Sequence, residues 1–208
     1  MAPRLPWLVT RDTPALRHLA DLCLALGRAV TLMAQLSSTT GQRQDRVERE
    51  LTDLDGTATA SLMAFLTALR SSYVTPIPRQ DLYQLAGGVH TAAHRVVGAG
   101  VMVQRAGLEE LPAPALDLLE TVGRQAELLR RAMDQLRDLD ALEDTWMQLE
   151  SGVRRMDRIL VEWLAGLGHD LLQRDFNRQR EVAWALQSAV ESLSRVNSCL
   201  GMVLVRES

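Results

Sequence analysis

Apolar residues recur at three- and four-residue spacing through most of the chain, the pattern of helices that each bury one stripe. Asp12-Thr13-Pro14 reads as a helix start, with Thr13 as N-cap and Pro14 at the first helical position. Leu16, Leu19, Leu22, Leu26, Val30 and Met33 follow on one side, until Ser37-Ser38-Thr39-Thr40-Gly41 breaks the period. A second helix is predicted from Gln42 to Leu69, with Val47, Leu51, Leu54, Ala58, Leu62, Phe65 and Leu69 on its stripe. Ser71 to Pro78 reads as an extended connector, because residues before proline avoid the α region. A third helix starts at Arg79-Gln80-Asp81, carries Leu82, Leu85, Val89, Ala93 and Val96, and fades near Gly107. After the break at Leu111-Pro112-Ala113-Pro114, a fourth helix runs to about Leu139 and a fifth from Ala141 to about Leu172. Gly166 and Gly168 are candidate ends for the fifth; the sixth spans Phe176 to Val205.

The prolines stop at position 114, leaving 94 residues without one. That suits long helices, since an internal proline costs about 3 kcal/mol. Break, short helix, long helix, long helix occurs once over residues 12–107 and again over 112–207. The expected architecture is therefore an all-α, six-helix up-and-down bundle made of two three-helix repeats in a single domain, 1–208.

Composition narrows the class. Apolar residues are 47%, charged residues 24% and aromatics only 4%, which fits a folded helical chain rather than a disordered one. All 23 basic residues are arginine, and the net charge of −3 excludes a generally basic protein that coats nucleic acid. Cys23 and Cys199 cannot make a disulfide framework or a cysteine zinc site. The longest clean apolar run, Val96 to Val103, is far shorter than the roughly 20 residues that span a bilayer. The opening MAPRLPWLVTRD has no sustained apolar core, so a cytoplasmic setting is expected.

One segment carries a resemblance. Tyr73-Val74-Thr75-Pro76-Ile77-Pro78-Arg79-Gln80-Asp81-Leu82 resembles the F-I-T-P-x-x-R-E-D-I connector of the PhoU-like phosphate-transport regulators, particularly the short accessory proteins paired with Pit-type transporters. The stretch from Val196 to Val205 is similar in spacing to that family's C-terminal helix. The resemblance implies a non-enzymatic regulator or accessory protein of inorganic phosphate transport. Such a protein would bind a membrane transporter or a phosphate-signalling protein and reach the membrane only through that partner. It also implies carboxylate pairs, E/D-x-x-x-D, on the long helices, which hold metal clusters in some members. Residues i and i+4 share a helix face, so such a pair can address one cation.

Carried over position by position, those pairs are degenerate. The four slots read Asp55/Thr59, His90/His94, Glu150/Arg154 and Gln187/Glu191, at separations of 35 within the first half and 37 within the second. Three acids in eight positions cannot bridge a multinuclear cluster. Arg154 brings a permanent positive charge to the second-half slot, where an ion pair with Glu150 or Glu191 is expected instead of a cation. In the first half, His90 and His94 with Asp55 would make a two-histidine, one-carboxylate site for a single Zn, Ni or Fe ion; solvated histidines on a half-exposed face are the plainer alternative.

Other signals are weak. Gly87-Gly88 has no preceding strand and no phosphate-loop fingerprint, so both glycines are assigned to close approach of a neighbouring helix. Trp146, Trp163 and Trp184 fall on helical stripes, and the fourth tryptophan is Trp7. Arg130-Arg131 and Arg154-Arg155 read as solvated helix faces. Two further functions stay open: a helical interaction or dimerisation scaffold, to which a homodimer belongs, and a metal-dependent hydrolase using His90, His94 and Asp55. No general base is identifiable near those three residues.

Overall fold

The computed structural model describes residues 13–36, 38–106, 110–167 and 172–207. Six helices follow one another: α1 (Pro14–Leu36), α2 (Gln42–Ser71), α3 (Arg79–Ala106), α4 (Ala113–Asp134), α5 (Leu139–Gly166) and α6 (Gln173–Glu207). Among the described residues 89% are helical and none is in a strand. The all-α, two-repeat bundle is the observed fold.

The helix ends have local causes. The Thr13 hydroxyl accepts from the Leu16 amide at 3.4 Å, as an N-cap does. Gly41, at φ 59°, turns the chain into α2 in a backbone region that favours glycine. The fourth helix stops at Asp134, short of the expected Leu139, because a turn intervenes and Asp138 caps α5 by accepting from the Ala141 amide at 3.2 Å. The fifth helix ends at Gly166, one of the two glycines singled out, and not at Leu172. The sixth starts three residues earlier than Phe176. Trp7, Gly107 and Gly168 lie outside the described residues.

α1 organises the bundle, packing against α2, α3 and α4. Its length and apolar composition alone would let it cross a membrane, yet 56% of that window is buried inside the bundle. Leu19, Leu22, Leu26 and Met33 are fully enclosed. Two seams join the repeats, α1 on α4 and α3 on α6, while α2 and α5 flank their own repeats. At the first seam Gly27 faces Ala126 and Gly123 faces Val30, each with room for a methyl group in ordinary contact. At the second, Gly88 is packed directly under Val196 of α6.

The connector between α2 and α3 is fastened at both ends. The Arg79 guanidinium donates to the Ser72 carbonyl, Ile77 is buried, and the Asp81 and Leu82 amides donate to the Pro78 carbonyl at 3.0 and 3.1 Å. Asp81, only 2% exposed, receives Arg206 Nη1 of α6 on its Oδ2 at 3.0 Å. An α3 N-terminus suits that buried carboxylate, because the helix dipole is positive there.

Leu26 should be among the most costly truncations. Leu26→Ala is expected to lower unfolding free energy by about 2–5 kcal/mol, read as a shift in urea midpoint at unchanged slope. A loss under about 1 kcal/mol would show that α1 is not the centre of the core.

Candidate functional site on the α2–α3 face

α2 and α3 run antiparallel, so slots 35 residues apart in sequence come face to face. The His94 Nδ1 and Asp55 Oδ1 atoms are 2.8 Å apart, and the Thr59 hydroxyl and His90 Nε2 are 3.2 Å apart. Asp55, His90 and His94 are thus brought to one face, together with Thr59. They are organised as two cross-helix pairs. The Asp55 oxygen is engaged with His94, and the His90 Nε2 with Thr59, so the donors do not converge on one point. Among the described residues no three His, Cys, Asp or Glu side chains are grouped to hold a metal ion. In this arrangement the Asp55 carboxylate holds the His94 ring across the two helices.

Burial pushes the His90 pKa below its ordinary value; Asp55 opposes that shift and His94 adds to it. Above pH 6.5 His90 is neutral in both folded and unfolded chains. Below that, the unfolded chain binds the proton more readily, so stability falls as pH drops through the folded-state pKa. Thiols offer no nucleophile here. Burial raises Cys23 to about 12 and Cys199 to about 11, the latter helped by Asp81, so neither is a thiolate near neutral pH.

The second-half residues are not assembled in the same way. Glu150 accepts from Arg154 Nε at 3.4 Å and from Asn197 Nδ2 at 2.6 Å. Glu191 accepts instead from Gln187 Nε2 at 3.2 Å and lies 3.8 Å from Arg195 Nη2. Asn197 stands six residues beyond Glu191, about 9 Å along the axis at the helical rise. The α5–α6 register explains the difference. The Trp146 indole lies on Gly201, 3.0 Å from where a Cβ would sit, and donates to the Asn197 carbonyl at 3.1 Å. Motif spacing gave no sign of that anchor. Asn197 itself, 2% exposed, is the polar residue the motif search passed over; its position in the apolar run Leu193, Val196, Leu200, Val203 is the signal that would have found it.

The other candidates divide similarly. Trp163 is buried, Trp146 half-buried, and Trp184 is 49% exposed beneath the Arg180 guanidinium. Arg130 pairs with Asp134 at 3.5 Å on a solvated face. Gly88 has the close neighbour expected of it, but Gly87 has nothing within 4 Å of a Cβ position, which corrects the common reason assigned to both.

The fold defines a class, the two-repeat six-helix bundle, and solved structures give that class a name. A PhoU-like protein from Shewanella oneidensis MR-1 superposes with TM-score 0.76 at 15% identity, over 92% of this chain and 99% of that one. A PhoU-like phosphate regulatory protein from the same organism superposes at 0.75 with 16% identity and the same coverage. The fold is PhoU-like. No family model matches the sequence, and no curated protein is similar to it.

Replacing His90 isolates its contribution. The His90→Gln variant should lose less stability than the wild type between pH 7.5 and 5, measured by urea unfolding at both values. Equal losses would mean that His90 titrates alike in folded and unfolded chains.

Proposed function

We propose that this chain is a non-enzymatic, cytoplasmic regulator or accessory protein of inorganic phosphate transport, acting by docking on a transporter or a phosphate-signalling protein. The observation that carries this reading is the PhoU-like fold over 92% of the chain, one neighbour of which is described as a phosphate regulatory protein. The Pro-x-Pro-Arg-x-Asp connector supports it, because Arg79 and Asp81 both hold the start of α3 in place. Such a regulator works by binding one transporter conformation better than another, since a ligand shifts an equilibrium only by its differential affinity. Deleting the gene should change radiolabelled phosphate uptake by intact cells, and a plasmid copy should restore it. Unchanged uptake under both scarce and abundant phosphate would leave the scaffold reading.

A second reading has its own observation. Asp55, His90 and His94 share one face, and a modest rotation of His94 away from Asp55 would free donors for a single Zn, Ni or Fe ion. Equilibrium dialysis with zinc tests it. About one ion per chain should be retained at pH 7.5, lost at pH 5.5 because protonated imidazole cannot ligate, and lost in His94→Ala. No retention at pH 7.5 removes the reading.

A further inference from the structure

α2, α3 and α4 pack on α1, yet its side along the α4 seam stays open. Two cavities of about 330 and 410 Å³ lie there and share Val30 and Thr31, so together they make one trough from Cys23 to Ser38. α1 and α4 form its walls, and it has no part in the α2–α3 cluster. Leu24 is 58% exposed at one end and Leu116 41% exposed at the other. Gly27 and Gly123 line the first cavity, and neither brings a side chain into it. This is open apolar surface on the helix whose 18-residue window reaches a mean hydropathy of 1.4. Covering such surface is favourable, because water gains freedom when it leaves.

The chain itself supplies a cover of the right length. Residues 1–12, which join α1 at the Thr13 cap, contain the apolar run Leu5-Pro6-Trp7-Leu8-Val9. Pro3 and Pro6 favour extended backbone, which advances about 3.3 Å per residue, while α1 rises about 1.5 Å per residue. Turned back along α1 from Thr13, Val9 reaches about 13 Å, level with Leu24 at about 15 Å. Trp7 and Gly27 then both fall at about 20 Å, and Leu5 and Thr31 at about 26 Å. The apolar run matches the first cavity from end to end. Charge agrees. The two arginines of the trough are already held on acids, Arg28 on Glu50 at 2.9 Å and Arg130 on Asp134 at 3.5 Å. Glu127, also in the lining, forms no ion pair among the described residues, and the segment brings Arg4 and Arg11 against Asp12. Tethering favours this segment over a second copy, since a short linker presents it at an effective concentration on the order of millimolar.

We propose that residues 5–9 fold back as an extended strap along the α1–α4 trough, with Trp7 over Gly27, Leu5 beside Thr31 and Val9 beside Leu24. The strap stands or falls independently of any role in phosphate transport. Thr31 is exposed in the described structure, so a cysteine placed there reports whether the trough is covered. The native thiols give little background, because burial lifts Cys23 to about 12 and Cys199 to about 11. Full-length Thr31→Cys protein is treated with Ellman's reagent at pH 8, alone and combined with Leu5→Ser and Trp7→Ser. Residue 31 should react at least tenfold more slowly when Leu5 and Trp7 are present, and Trp7→Phe alone should keep that protection. Equal rates with and without the two serines overturn the proposal. So does fast labelling of Cys199 in the serine variant, which would make the segment part of the core instead of a strap on it. Protection that disappears on dilution, with a dimer by light scattering, gives the trough to a second copy and overturns it as well.

Discussion

A helix as apolar as α1 has to be covered on several sides, and the rest of the bundle follows from meeting that demand. α2 and α3 cover it from within the first repeat, and α4 must come from the second. Once α4 lies on α1, the two repeats are face to face, and α3 meets α6 along a second seam. The second seam depends on glycine: Gly88 has Val196 where its Cβ would stand. A methyl group at Gly88 would strike Val196, so the α3–α6 spacing is fixed by a missing side chain as firmly as by the leucines that fill the core.

Much of this was legible in the sequence, and what was not has a physical reason. Helix existence followed from apolar spacing and from where proline stops, because both act within one element. Ends were harder to place where a cap competes with continuing periodicity: Gln135 closes one helix and Asp138 starts the next, while Leu136 and Leu139 keep the stripe going across the break. That Asp55, Thr59, His90 and His94 share one face was legible from slot spacing on two consecutive helices; that they meet as two cross-helix pairs was not. Nor were the α5–α6 pairings. There the register is set by an indole lying on Gly201, a contact between residues 55 positions apart that no carboxylate spacing encodes.

An all-arginine complement of cations leaves its mark on the interactions. Arg180 is stacked between Phe176 and Trp184, at 5.4 and 4.7 Å from the ring centroids, which a planar guanidinium does better than an ammonium. Arg206 combines a half-exposed stem with a head that reaches a buried carboxylate. Most of the other ion pairs are i, i+3 or i, i+4 contacts on solvated faces, where water screens them and they add little to stability. Among the described residues, the ion pair with a buried partner is Asp81–Arg206.

That pair also orders events during synthesis. Asp81 is destined for burial, but its cation lies 125 residues downstream. At translation rates of about 5–20 residues per second, roughly 6–25 s separate the two on the ribosome. Through that interval the first repeat has a carboxylate it cannot bury without penalty and an apolar α3 stripe with no α6 to cover it. The contact that locks the finished bundle is thus among the last that the growing chain can make.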